Sequence, residues 1–418
     1  MRIMYLTQWF DPEPNVIKGP KFVRALQAAG HPVAVVTGLP NYPTGRLYPG
    51  YRLRLLQRET IGGVGVTRLP LYPSHDASSV RRSLNYLSFF ISALVYGLFR
   101  SRRFDLAYVY HPPITVGLAA ALSGWVRRLP FVLEIQDLWP DTIAATGMGG
   151  PRMVSLLDLI CRFVYRRASA IIVQSEGMRR TLIERGVPAA KLTVVRNWAG
   201  MEPGAGAAGA PAWGAGFHVV YAGNHGRSQG LDTVLEAAAI VQRERPEIRF
   251  HFYSDGVEAE PLKQHAAKLG LTNLQFHGHV PVQEIQAAFA RADALLLHLR
   301  DGPLFHITIP SKTQVYLAMG GPIVAGVAGE TAEILEQSGA ALLAPPEAPG
   351  ALARAIAAMA DLAPNERQAM GAAGRRFYRE TMSFEAAMQR TLTVLDGVRP
   401  DRRWPSPRTA ARGSSQIA

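Results

Sequence analysis

Pro310-Ser311-Lys312 heads a helix-like stretch that closes on Gly320 and Gly321, just after the apolar run 293–299. A helix start carries N–H groups with no intrahelical partner and the positive end of the helix dipole. With Lys312 beside it, such a corner suits a phosphate. A serine cap on an ordinary helix accounts for the same residues. A second place of this kind is Gly223-Asn224-His225-Gly226-Arg227-Ser228-Gln229-Gly230, a glycine-rich turn between an apolar strand and a helix. Glycines let an anion approach the backbone, and Arg227 is a permanent, forked cation matched to a diphosphate, although an exposed loop arginine is the plainer account. The turn is neither GxGxxG nor GxxxxGK[ST], so a dinucleotide oxidoreductase and a P-loop NTPase find no support.

Two further polar positions follow apolar strands in the first half. His111 ends the run 105–110, and Gln136-Asp137-Leu138-Trp139-Pro140-Asp141 follows 131–135. The carboxyl ends of parallel strands are where open α/β sheets hold ligands, which gives His111 and Asp137 a functional reading beside the structural one.

The elements that must position these residues alternate. Strand, helix and strand fall within residues 2–37, a βαβ opening that implies a parallel sheet. Further strands are expected at 105–110, 131–135, 170–174 and 192–195. After the Gly-, Ala- and Pro-rich stretch 200–216, which reads as a linker, a second alternation supplies strands at 219–222, 249–253, 274–277, 293–297, 322–325 and 340–343. The fold class is therefore α/β, with two doubly wound, Rossmann-like parallel-sheet domains facing across a cleft. Helices occupy 365–398, and the tail 399–418, with Arg402, Arg403, Arg408 and Arg412 among Pro, Ser and Gly, reads as disordered.

The totals agree with two globular domains: 418 residues, 48% hydrophobic and 18% charged. The single cysteine, Cys161, sits between apolar neighbours and excludes an internal disulfide and cysteine-rich metal sites. Residues 1–200 hold 25 Lys+Arg against 11 Asp+Glu, net +14, whereas 201–418 hold 20 against 21, net −1. The first half thus faces an anionic partner, and a membrane surface fits better than nucleic acid, since no aromatic platform accompanies the charge. The run Leu84 to Phe99 is the most apolar. At 16 residues it falls short of the roughly 20 that span a bilayer, so it reads either as a core helix or as one lying in the membrane interface between its arginine flanks. No signal peptide fits the N-terminus.

YAGNHGRSQGL, IPSKTQVYLAMGGP, His-Pro-Pro after a strand, and EIQDLWPD together resemble the family 4 retaining glycosyltransferases of the GT-B fold. The likeness is to the bacterial branch that builds O-antigen, capsule and colanic-acid repeat units, such as L-fucosamine transferases, and it covers roughly residues 2 to 380.

The resemblance implies an acceptor and membrane domain at 1–199, a linker at 200–216 and a nucleotide-sugar domain at 217–380. A C-terminal helix at 381–398 would pack back on the first domain. It implies a UDP-sugar donor, a polyprenyl-diphosphate-linked glycan acceptor at the cytoplasmic membrane face, no metal ion and no other cofactor. Gly19 would lie in the loop that approaches the donor phosphate and the acceptor, and His111 near the donor sugar. Arg227 and Lys312 would be the diphosphate cations, with Ser311, Gly223, Asn224, Gly226 and Gln229 around them. His279 and Val280 would meet the base through backbone groups, and Asp137 would act as acceptor base or orienting group. The family's Glu-x7-Glu pair falls here on Ile307 and Val315, which leaves Gln314, Tyr316 or Glu330 as substitutes at the ribose. A nucleotide-sugar 2-epimerase and a catalytically inactive membrane-associated scaffold stay open as alternatives.

Overall fold

A computed structural model of the chain describes residues 1–14, 17–74, 78–111, 113–145, 150–201 and 212–398. The expected tail, its arginines and most of the expected linker lie outside the described residues.

The first sheet contains β1 (Ile3–Leu6), β2 (Val33–Gly38), β3 (Gln57–Ile61), β4 (Val64–Leu69), β5 (Leu106–His111), β6 (Phe131–Ile135), β7 (Ala170–Val173) and β8 (Leu192–Val194). Their order is β3-β4-β2-β1-β5-β6-β7-β8, with every pair parallel except the β3–β4 hairpin. The hairpin adds two strands beyond the alternation read from sequence. Its turn is Gly62-Gly63, with φ of +54° and +81°, the left-handed pair that a two-residue hairpin turn demands. Around this sheet lie α1 (Pro20–Ala28), α2 (Ser79–Arg100), α3 (Ile114–Arg127), α4 (Asp141–Ala145), α5 (Pro151–Arg167) and α6 (Glu176–Glu184). The central strands are buried on both faces, which is why they read as continuous apolar runs.

The second sheet contains β9 (Phe217–Ala222), β10 (Ile248–Tyr253), β11 (Leu274–Gly278), β12 (Ala294–His298), β13 (Ile323–Gly326) and β14 (Ala341–Ala344). It is parallel throughout, in the order β11-β10-β9-β12-β13-β14. The order reverses at β9, so the crevice outside β9 and β12 is the place where this topology receives a ligand. Its helices are α7 (Leu231–Glu244), α8 (Ala259–Lys268), α9 (Val282–Arg291), α10 (Pro303–His306), α11 (Ser311–Met319), α12 (Glu330–Ser338), α13 (Pro349–Asp361) and α14 (Pro364–Thr381). The last helix, α15 (Phe384–Gly397), leaves this domain. Its Ala387, Met388, Val394 and Leu395 pack with Ile3, Tyr5 and Phe22 of the first, and Phe384 meets Trp198 edge-on at 4.9 Å.

The two carboxyl edges face each other. Ser175, just beyond β7, caps α6 by accepting from the Met178 N–H at 3.0 Å and donates its hydroxyl proton to the Ile307 carbonyl at 2.6 Å. The Glu330 carboxylate, at the start of α12, accepts the Glu176 and Gly177 N–H groups at 2.8 and 2.7 Å. A carboxylate of one domain thus neutralises a helix N-terminus of the other.

Candidate functional site

The glycine turn after β9 and the start of α11 close on one cavity of about 450 Å³. Gly223, Asn224, Ser228, Gln229, Ser311 and Lys312 line its polar side, and Phe289, Leu299, Phe305, Val315 and Tyr316 its apolar side. Helix α11 begins at Ser311 with Pro310 in the cap position and no side-chain cap; the Thr313 N–H turns back to the Pro310 carbonyl at 2.9 Å, which leaves the Ser311 and Lys312 N–H groups at the cavity. Gly223 has φ +144°, and a Cβ there would stand 2.4 Å from the Lys312 Cε. Only glycine both adopts that backbone and lets the lysine stem pass.

Lys312 is the electrostatic centre of the cavity. Its Nζ donates to the Gln229 Oε1 and lies 4.7 Å from the centre of the Tyr221 ring. Among the described residues no carboxylate pairs with it, and burial alone pushes the amine down to about 7. An anion arriving beside it gains a charge-assisted hydrogen bond in a place that water reaches poorly.

The other expected site residues divide. Gly226 caps the short turn 227–229 beside the Asn224 side chain. Arg227 departs from expectation: its side chain is 87% exposed and its Nε binds Glu258 at 3.0 Å. The 3-10 turn aims residue 227 outward and residues 228 and 229 inward. Gln314 is buried in α11, its amide nitrogen facing the Pro310 and Ser311 carbonyls at 2.7 and 3.0 Å in the orientation that satisfies its hydrogen bonds. Tyr316 accepts the Ala222 N–H at 3.3 Å, and Glu330 is spent on α6. Neither Gln314 nor Glu330 lines the cavity. Ile307 is also turned away, against Gly177, where a Cβ would come within 2.5 Å of its Cγ2. Of the two places where the family carries glutamates, only Val315 faces the cavity.

His279 is exposed and Val280 half-buried, both just beyond β11 and outside the lining. Behind them runs a row of histidines across three strands. His218 Nδ1 and His251 Nε2 are 3.0 Å apart, as are His251 Nδ1 and His277 Nε2. His218 Nε2 meets the Gly214 carbonyl at 3.0 Å. A carbonyl only accepts, so every Nε2 in the row carries the proton and donates toward Gly214. Burial and its two neighbouring imidazoles push His251, the middle ring, down to about 3.

In the first domain, Gly19 is buried as the cap of α1, and Asp137 opens to solvent beyond β6 with its carboxyl raised above the usual range by the surrounding protein. His111 is the last residue of β5; its side chain lies outside the described residues. Sequence reading missed the group behind them. Lys18 is buried with its Nζ 3.0 Å from the equally buried Glu134, which also accepts from Tyr108 and from the Gln136 amide at 2.8 Å. The signal was a lone carboxylate inside the apolar strand 131–135.

Two facing Rossmann-like domains, with a cavity at the switch point of the second, make the GT-B architecture. Residues 21–198 match the glycosyl transferase 4-like domain family and residues 216–361 the glycosyl transferases group 1 family, so each half of the chain carries a glycosyltransferase domain and the protein is a glycosyltransferase. It is 26% identical over 274 residues to the probable glycosyltransferase WbjE of Pseudomonas aeruginosa, covering 63% of this chain and 68% of that protein. It is 28% identical over 319 residues to the putative colanic acid biosynthesis glycosyl transferase WcaI of Escherichia coli K12, covering 73% and 77%. Its fold matches Anabaena Alr3699/HepE, solved in complex with UDP and glucose, with a TM-score of 0.66 and 15% identity over 95% of this chain and 100% of that one.

Proposed function

We propose that this glycosyltransferase moves a sugar, with retention at the anomeric carbon, from a UDP-sugar to a polyprenyl-diphosphate-linked glycan during assembly of a bacterial surface polysaccharide. The observation that carries the reading is Lys312, a largely buried amine with no carboxylate partner among the described residues, set beside the start of α11, which has no side-chain cap. As the glycosidic bond of the donor breaks, negative charge grows on the leaving diphosphate. Fixed N–H groups and one desolvated cation stabilise that charge without reorganising. In this reading the neutralisation needs no metal ion, and Asp137, at the opposing edge, orients or deprotonates the acceptor hydroxyl. The likeness to WcaI supports the polysaccharide setting, and the UDP in the Anabaena structure supports the donor.

The acceptor's lipid favours a membrane surface. Among the described residues no helix is long and apolar enough to cross a membrane. Helix α2 instead exposes Leu84, Leu87, Ile91, Val95 and Phe99 along one side, and α5 exposes Met153, Leu156 and Leu159. With Arg81, Arg100, Arg102 and Arg103 at the ends of α2, this face suits the interface of an anionic bilayer.

Purified protein incubated with a panel of UDP-sugars and a lipid-linked glycan acceptor is expected to release UDP with one donor. No turnover of any nucleotide sugar with any acceptor sinks the reading. Cosedimentation with phosphatidylglycerol vesicles but not phosphatidylcholine vesicles is expected, and equal partition to both or neither removes the membrane part.

A further inference from the structure

Three amide–aromatic doublets meet at the carboxyl edge of the first sheet. Gln8-Trp9 follows β1, Asn41-Tyr42 follows β2, and Asn85-Tyr86 lies in the second turn of α2. The amides are buried and bonded to one another. Gln8 Nε2 donates to Asn85 Oδ1 at 2.6 Å, and Asn85 Nδ2 donates to Asn41 Oδ1 at 3.2 Å and to the Tyr72 carbonyl at 2.7 Å. The buried carboxylate of Glu13 ties the two loops a second time by accepting the N–H groups of Phe10, Asn41 and Tyr42 at 3.2, 2.8 and 2.9 Å. Arg68 ties them a third time, donating to the Phe10, Asp11 and Gly38 carbonyls.

All this buried polar bonding holds three rings that belong to none of the four apolar cores. Trp9, Tyr42 and Tyr86 are each half-buried. The Trp9 ring lies 5.3 Å from Tyr42 at 41° and 6.5 Å from Tyr86 at 72°. The charges of Asp137 and Arg82 act on the Tyr86 hydroxyl, so a carboxylate and a guanidinium border the cluster. Rings that only fill space join a core. Rings fixed by a buried hydrogen-bond network at a ligand-binding edge, with polar groups around them, have the composition of a carbohydrate platform: a pyranose offers an apolar C–H face to a ring and its hydroxyls to the groups at the rim.

We infer that Trp9, Tyr42 and Tyr86 form a stacking platform for a pyranose ring of the acceptor glycan, on the domain opposite the Lys312 cavity. This rests on the proposed transfer reaction and deepens it. The platform lies at the same carboxyl edge as Asp137, which follows β6.

The test uses the full chain with Tyr86→Ala, Trp9→Leu and the ring-retaining Tyr86→Phe and Trp9→Phe. With the lipid-linked acceptor, KM for acceptor is expected to rise tenfold or more in the two ring-deleting variants and less than threefold in the ring-retaining pair. The UDP dissociation constant by calorimetry should stay within twofold throughout. Unchanged acceptor KM in Tyr86→Ala overturns the inference, as does a parallel loss of UDP affinity, which marks a purely structural cluster. A binding arm is independent of turnover: saturation-transfer NMR with methyl hexosides and methyl N-acetylhexosaminides, against decyl phosphate. Methyl glycosides that receive saturation from the wild type but not from Tyr86→Ala support the platform even if the transfer reading fails. Binding of decyl phosphate alone assigns the rings to lipid and overturns it. If the ring-deleting variants do not fold, the wild-type glycoside signal decides, and its absence overturns the inference.

Discussion

Two lysines are withdrawn from water, one at the carboxyl edge of each sheet, and they are opposite in kind. Lys18 lies 3.0 Å from Glu134 and over the rings of Phe22 and Trp198, at 4.3 and 4.5 Å, so its charge is answered from within. Lys312 has an amide oxygen and one ring, and no carboxylate among the described residues. Burial lowers both amines, but at Lys18 Glu134 pulls back the other way, whereas nothing opposes the effect at Lys312. A buried charge with its counter-ion holds a fold together. One without it is poised for a ligand that brings the counter-charge.

The largest expected effect is on the first lysine. Lys18→Met leaves Glu134 buried and unpaired and is expected to cost about 3–5 kcal/mol of unfolding free energy in urea titrations, with Lys18→Met/Glu134→Leu recovering much of the loss. Strictly additive losses would show that the pair is not the unit described. Lys312→Met is expected to leave stability equal or higher and to weaken UDP binding by about 1–3 kcal/mol in calorimetry. If it destabilises as Lys18→Met does, the contrast between the two lysines collapses.

The contrast also has a pH signature. In the ligand-free protein burial pushes the Lys312 amine down to about 7, while in the unfolded chain it keeps its ordinary value of 10.5. Between these values the unfolded state binds the extra proton, so this group's contribution to stability rises with pH across that window and is flat below 7. Wild type minus Lys312→Met in urea titrations from pH 7 to 9 isolates it, and a flat difference removes the lowered amine. UDP affinity should run the other way, weakening above pH 7 as the cationic form is depleted. The smallest effect belongs to Arg227→Ala, which at an exposed ion pair should change UDP affinity by less than about 1 kcal/mol. A loss as large as that of Lys312→Met would mean that Arg227 swings inward when the nucleotide binds.

Much of this architecture is local and therefore legible in the chain. Apolar runs alternating with helical spacing marked both sheets, and the glycines at 223–230 and the Pro-Ser-Lys corner marked two turns, because a backbone conformation is chosen by the residues that occupy it. The β3–β4 hairpin escaped because β3 is polar and charged and β4 only alternates Val64 and Val66 with Gly65 and Thr67, so neither presents a continuous apolar run, although Gly62-Gly63 announced the turn.

What tertiary structure alone decided is which way side chains face and which residues distant in sequence meet. Glu330 reaches α6 across 153 positions, and Ile307 rests on Gly177 instead of facing a sugar. Lys18 finds Glu134, and three amides from two loops and a helix find one another. Arg227 was legible as a cation in a phosphate-like turn, yet its direction depends on one 3-10 turn and on Glu258, 31 residues away. Local sequence selects the conformation of a turn. The direction of a charge depends on which opposite charge or helix end the assembled fold brings within a few ångströms, and nothing in local spacing carries that distance.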